Sequence, residues 1–135
     1  MPLQEKPMTT IKIDVLRVAK DARGYVFEPL TPEAIARFRN VHVVYTIPGV
    51  VRGNHRHSVG TEICSVAGPA LVRYRLNDVV HDAHVPEGEA WRFEFPPGVA
   101  HAFRNDGTLP MLLAAFNTEE HDPDHPDAVK DVLIE

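Results

Sequence analysis

Between residues 41 and 116 the chain is cut into short apolar segments by turn-forming residues at near-regular intervals. No other feature limits its fold as much. Ala67-Gly-Pro69, Asn77-Asp78, Pro86-Glu-Gly88, Pro96-Pro-Gly98 and Asn105-Asp-Gly107 each interrupt the segments. Gly and Asn reach positive φ cheaply, and Pro fixes φ and lacks an N–H, so such groups reverse a chain rather than continue a helix. The segments between them are Val41–Ile47, Glu62–Val66, Leu71–Leu76, Val79–Val85, Trp91–Phe95, His101–Arg104 and Met111–Phe116. Many short strands at this spacing predict an all-β sandwich or barrel.

The upstream part adds little to that frame. Apolar and charged residues alternate over Ile11–Val18, which predicts a strand with one wet face. Asp21–Gly24 reads as a turn and Tyr25–Glu28 as a short strand. One helix is expected over residues 32–38, with Thr31 as N-cap, Pro32 at the first helical position and Glu33 in the first turn. Residues 1–9 are polar and hold two prolines, so a disordered tail is expected there, followed by a single domain over residues 10–135. The expected barrel core is Val43, Tyr45, Leu71, Trp91, Phe93, Phe95, Phe103 and Leu113.

Composition excludes several functions. A length of 135 residues suffices for one core without staples. The formal net charge of −5 gives no counterion-release energy on a phosphate backbone, so nucleic acid is not an expected partner. Cys64 is the only cysteine, which rules out an internal disulfide and suits a reducing, cytoplasmic setting. No apolar run marks a signal peptide in residues 1–8, and none approaches the roughly 20 residues of a membrane helix.

Two stretches carry the chemistry. In Gly49-Val-Val-Arg-Gly-Asn-His55-Arg-His57-Ser-Val-Gly-Thr-Glu62, strand alternation aims His55 and His57 to one face, and Glu62 follows a four-residue turn. In Pro96-Pro-Gly98-Val-Ala-His101-Ala-Phe-Arg-Asn105, a turn precedes a strand that begins with histidine. Three imidazoles and one carboxylate form a mixed nitrogen and oxygen donor set for a divalent ion: Zn²⁺ foremost, with Fe²⁺, Mn²⁺, Ni²⁺ or Cu²⁺ also suited. The remaining histidines read as ordinary surface or wall residues: His81 and His84 on opposite faces of a strand, His121 and His125 in an acidic tail, His42 toward solvent or barrel.

These stretches resemble the two motifs of the cupin superfamily. Gly49, His55, His57, Glu62 and Gly68 match the first, with five rather than six residues between Glu62 and Gly68. Pro96, Gly98, His101 and Asn105 match the second, with Gly88 two residues too far upstream. The resemblance implies a double-stranded β-helix, or jelly-roll, barrel with the ion inside it. Asp21-x-Arg-Gly24 and Arg52-Gly-x-His55 are similar to deoxysugar-nucleotide 3,5-epimerases, metal-free cupins in which such a histidine removes a proton beside a ketone. The 52–57 and 95–101 stretches, with Asn117-x-Glu-x-x-Asp-Pro-Asp-x-Pro-Asp127, resemble the C-terminal cupin domain of bifunctional capsular-polysaccharide enzymes. There a zinc-bearing cupin epimerises a UDP-4-keto-sugar and a reductase domain precedes it; no reductase portion is visible in these 135 residues.

The resemblance implies a cupin acting on a nucleotide-linked keto-deoxysugar, by epimerisation or keto-isomerisation, in polysaccharide or glycoside biosynthesis. Such chemistry needs a base for the proton beside the carbonyl and a positive charge for the enolate oxygen. His55 is a candidate for base and for ligand, and its neighbours favour ligand; His101 is the base if the metal set is incomplete. Tyr45 and Tyr74 are the candidate proton donors, with Tyr74 retained, and Arg52 and Arg75 are the candidates retained for the diphosphate. The same donor set also suits an Fe(II)-dependent dioxygenase of a small molecule, and a sugar-binding cupin without catalysis is the third reading. A homodimer is expected, with the Ile11–Val18 strand either crossing to a partner or pairing in its own sheet.

Overall fold

The computed structural model describes residues 8–135, so most of the expected disordered tail, residues 1–7, lies outside the described part. The elements in chain order are β1 (Lys12–Val15), β2 (Ala19–Asp21), β3 (Gly24–Val26), helix α1 (Pro32–Ile35), β4 (Asn40–Thr46) and β5 (Val51–His57), then β6 (Glu62–Ala67), β7 (Ala70–Leu76), β8 (Val79–Val85), β9 (Ala90–Phe95), β10 (His101–Asn105), β11 (Met111–Asn117) and β12 (Ala128–Lys130). No described helix is long and apolar enough to cross a membrane.

Two five-stranded sheets face each other, ordered β1-β9-β6-β11-β4 and β12-β5-β10-β7-β8, with a separate β2-β3 hairpin. Every strand pairing in the two sheets is antiparallel. This is the expected cupin barrel. Its turns follow the sequence signals: Asn77 and Asp78 both hold positive φ, 50° and 66°, in the two-residue turn that joins β7 to β8. That twist matches the right-handed twist of the strands it connects.

Between the sheets, Phe93, Phe95, Phe103, Val66, Val72 and Leu113 form the main core. Five of the eight expected core residues are buried: Leu71, Phe93, Phe95, Phe103 and Leu113. Leu71 lies in a second cluster, packed with Ala102 and Ile134, so the last turn of chain covers the outer face of that sheet. Trp91 is only partly buried. Val43 and Tyr45 are exposed, at 67% and 59%. On β4 the more apolar face is Val41, Val43 and Tyr45, yet the inward phase belongs to Val44 and Thr46, the reverse of what the residue pattern suggests.

Other boundaries shift as well. The helix stops at Ile35, three residues short of its expected end, and Thr31 makes no side-chain cap. The strand expected over Ile11–Val18 is shortened to β1, Lys12–Val15, which pairs with β9 of its own chain, and β2 begins only at Ala19. β12 was not anticipated. It pairs with β5, placing Ala128 opposite His57 and Lys130 opposite His55. Beyond it, Asn54 accepts hydrogen bonds from the N–H groups of Leu133 and Ile134, at 2.9 and 3.0 Å, and donates to the Ile134 carbonyl at 2.8 Å. Asn54 has φ of 59°, a conformation asparagine tolerates better than most residues.

Candidate metal centre

Strand β5 lacks the apolar alternation of its neighbours, and it carries the chemistry instead. Its pairing with β10 shifts register between His101 and Ala102, where Gly53 has φ of 82°. A Cβ at Gly53 would lie 2.8 Å from the His101 carbonyl oxygen, so only glycine permits this approach. The irregularity leaves His55 directly opposite His101. His57 follows on the same face, and Glu62 enters as the first residue of β6, in the opposing sheet.

The structure brings together His55, His57, Glu62 and His101, with one potential ligand atom of each within 4.8 Å of the others. Ring centroids lie 4.9 Å apart for His55 and His101, 5.0 Å for His55 and His57, and 5.9 Å for His57 and His101. Glu62 and His101 are buried. His101 Nδ1 lies 3.0 Å from the Val99 carbonyl, so it donates there and leaves the Nε2 lone pair toward Glu62 Oε1, 3.2 Å away. Nε2 of His57 touches Glu62 Oε2 without a well-directed hydrogen bond, and the buried Nε2 of His55 has no partner among the described residues. An uncompensated buried polar atom costs about 1–3 kcal/mol. Three imidazole nitrogens and a carboxylate converging around such an atom fit a divalent ion, and the donor set suits zinc or another first-row metal.

The electrostatics of the protein atoms agree with that fit. Burial, and then the positive charge His101 would carry, pull the His55 pKa down to about 4, so its imidazole is neutral and able to ligate at pH 7. Burial acts in the same direction on His57, but contact with Glu62 and the charges of Glu62 and Asp127 outweigh it and raise its pKa. Glu62 is held well below the carboxylate range: burial opposes this, and its contacts with His101 and His57 win. Cys64 donates its thiol proton to Glu62 Oε1 at 3.0 Å, and burial followed by the Glu62 charge keeps it a thiol.

The remaining predicted residues fall in different places. Tyr74 is the direct cross-strand neighbour of His101, faces the barrel interior, and stacks on His81 at 5.3 Å and 16°. Burial raises its pKa. Arg52 donates from Nε to Thr46 Oγ1 and from Nη2 to the Tyr45 carbonyl, both at 3.1 Å, and remains exposed. Arg75 is not brought to the cluster. It alternates away from Tyr74 and grips Asp131, with contacts of 2.9 and 2.8 Å. His42, read from the sequence as an ordinary residue facing solvent or barrel, is exposed on β4 in the phase of Val44 and Thr46, yet lies near enough to lower the His55 pKa. His42 is two residues from Val44, with the strand period. Two clefts around Leu30 and Arg92 include none of these residues.

Comparison with known proteins follows the same geometry. The family described as "Polysaccharide biosynthesis C-terminal domain" matches residues 19–129. No curated protein matches the chain. Among solved structures, the capsular polysaccharide assembling protein CapF from Staphylococcus aureus is 27% identical, with a TM-score of 0.65; the match covers 87% of this chain and 34% of CapF. The chain thus spans about a third of CapF's length. A dTDP sugar isomerase from Desulfovibrio desulfuricans G20 shares the fold at 17% identity and a TM-score of 0.75, covering 91% of this chain and 84% of that one. QdtA, a sugar 3,4-ketoisomerase from Thermoanaerobacterium thermosaccharolyticum solved in complex with TDP, does so at 14% identity and 0.67, covering 90% and 88%.

Proposed function

The chain belongs to the polysaccharide biosynthesis C-terminal domain family, and on that premise we propose that it is an enzyme acting on a nucleotide-linked keto-deoxysugar, by epimerisation or keto-isomerisation, around one divalent cation. The observation that carries this reading is the partnerless, buried His55 Nε2 facing Glu62, His57 and His101 inside the barrel. Proteins of the same fold, the dTDP sugar isomerase and QdtA, support the substrate class. His55, His57, Glu62 and His101 are the residues that would hold the ion, zinc foremost.

A cation bound there supplies a positive charge that polarises a carbonyl oxygen. The chain's own residues must move the proton beside that carbonyl. Removing it from carbon leaves an enolate. Returning it to the opposite face of that carbon gives the epimer, and returning it at the former carbonyl carbon, while the adjacent hydroxyl proton passes to the former carbonyl oxygen, gives the isomeric ketone, with no net oxidation in either case. His101 is sealed by Val99 and Glu62 and serves as a ligand rather than as the base. His42, exposed on β4 in the same phase as Val44 and Thr46 and near enough to lower the His55 pKa, carries an imidazole outside the ligand set, and we assign it the role of taking the proton. Tyr74, kept protonated by burial, acts as a donor toward a developing alkoxide. Arg52, exposed three residues before His55, meets the diphosphate. The chain works as a homodimer, which would cover the exposed Val41, Val43 and Tyr45 on edge strand β4.

Incubation with a panel of nucleoside-diphosphate 4-keto-6-deoxysugars in D₂O tests the proposal. Deuterium should enter the sugar at a carbon next to the carbonyl, and an epimer or isomeric ketone should accumulate. Absence of both exchange and product across the panel would overturn it.

A further inference from the structure

The Asn117-to-Asp127 segment, with its unusual run of Pro and Asp, has no part in the ligand set, yet both of its ends meet His57. Asp127 Oδ2 lies 3.4 Å from His57 Nδ1, on the opposite side of the ring from the cluster. The same carboxylate is fixed from elsewhere: Oδ1 accepts the Val59 N–H and Oδ2 the Gly60 N–H, each at 2.8 Å, and the Asp127 carbonyl accepts the Ser58 N–H at 3.0 Å. Asp127 therefore binds every backbone N–H of the turn from Ser58 to Gly60 and reaches back to the ring that precedes it. Asn117 completes the enclosure, with Nδ2 3.3 Å from His57 Nδ1 and Oδ1 accepting the Glu119 N–H at 2.8 Å. A Cβ at Gly60 would strike Asn117 Oδ1 and lie 2.8 Å from Asp127 Oδ2, so the clamp closes only over glycine.

Two neighbours compete for His57 Nδ1, the Asn117 amide at 3.3 Å as a donor and the Asp127 carboxylate at 3.4 Å as an acceptor. The Asn117 amide is oriented by Glu119, so its NH₂ and not its oxygen faces the ring. If Nδ1 were bare, it would accept from Asn117, and Nε2 would carry a hydrogen pointing into the cluster. If Nδ1 is protonated, Asp127 is its acceptor and the Nε2 lone pair is free to ligate. A histidine ligand commonly donates its other N–H to a carboxylate in this way, and losing that partner weakens metal affinity 10- to 100-fold.

We propose that Asp127 is a positioning residue for His57: its carboxylate accepts Nδ1–H, locks the ring, and presents Nε2 to a divalent cation. The inference rests on reading the cluster as a metal centre. It also gives the Pro- and Asp-rich segment a purpose, since that segment carries Asp127 from the end of β11 to the start of β12.

The test compares the full chain with Asp127→Asn and Gly60→Ala. Zinc affinity is measured by competition with a chromogenic chelator, and the His57 side-chain nitrogens are observed by NMR in the metal-free protein. Expected are a His57 Nδ1–H signal in the parent that is lost in Asp127→Asn, and a Kd for zinc raised 10- to 100-fold in both variants. Asp127→Glu should recover part of the affinity, which a merely folded turn would not predict. A bare Nδ1 in the parent, or an unchanged zinc Kd in Asp127→Asn, overturns the inference. If the parent takes up no zinc, the metal reading falls, and the Nδ1–H signal alone decides the role of Asp127.

Discussion

The His101 imidazole lies flat against the Phe95 ring, with centroids 4.2 Å apart and planes 5° from parallel. Both side chains are buried, and Phe95 also stacks on Phe93 at 5.9 Å. The ring that would ligate a metal is thus one plate in a stack whose other plates are core aromatics. Orientation of His101 and stability of the barrel depend on the same residue.

Phe95→Ala should therefore affect both. Truncating a buried Phe costs about 3–5 kcal/mol, readable as a lower urea midpoint with little change in slope. Metal affinity should fall as well, because His101 would keep its Val99 hydrogen bond but lose the wall that sets its tilt. A normal midpoint would mean that the stack contributes little.

In metal-free protein, His55 makes stability depend on pH. Its folded pKa, about 4, lies below its unfolded value of 6.5. Unfolding therefore takes up a proton between those values, and the stability His55 supplies above pH 6.5 is lost as pH falls toward 4. The effect is about 2 kcal/mol after allowance for partial exposure. His57 runs the other way, since its pKa is raised: its contribution is present below pH 6.5 and fades as pH rises. Chemical unfolding at pH 7.5 and pH 5 should show a smaller loss on acidification in His55→Gln than in the parent.

How much of this was legible beforehand depended on how far each signal reached along the chain. The convergence of His55, His57, Glu62 and His101 was legible because strand alternation and two turns determine it locally. The strand pattern and the Asn77-Asp78 turn were legible for the same reason. The inward phase of β4 was not, because Val41, Val43 and Tyr45 form its more apolar face and only the docking of the sheets turns Val44 and Thr46 inward. Arg75 was assigned to the diphosphate without knowledge of Asp131, 56 residues away, which holds it on the outer face. Asp127 was part of a recognised pattern, but its contact with His57 spans 70 residues and depends on β12 pairing with β5.

Arg52 and Arg75 should separate by their effects. Arg52→Ala should raise KM for a nucleotide sugar about 10-fold or more, the worth of a lost charge-assisted contact. Arg75→Ala should leave KM unchanged and lower the melting temperature, because it removes one of the two arginines, with Arg56, that hold Asp131 and the segment behind it. Steady-state kinetics and thermal unfolding of both variants distinguish the two roles, and equal KM effects would contradict them.

Asn54→Ala should destabilise the chain by about 2–4 kcal/mol. It removes three hydrogen bonds to Leu133 and Ile134, each worth about 0.5–1.5 kcal/mol, and places alanine at positive φ. Asn54→Gly should lose less, since glycine accepts the backbone. Equal melting temperatures for the two variants would exclude the strain contribution.

The metal content of zinc-loaded, desalted protein, measured by elemental analysis, tests the central claim most directly. The four-residue centre predicts one tightly held zinc per chain in the parent. His57→Ala and His101→Ala should hold next to none while keeping a folded β spectrum. A parent chain that retains no zinc, or a His57→Ala chain that retains as much as the parent, would contradict the claim.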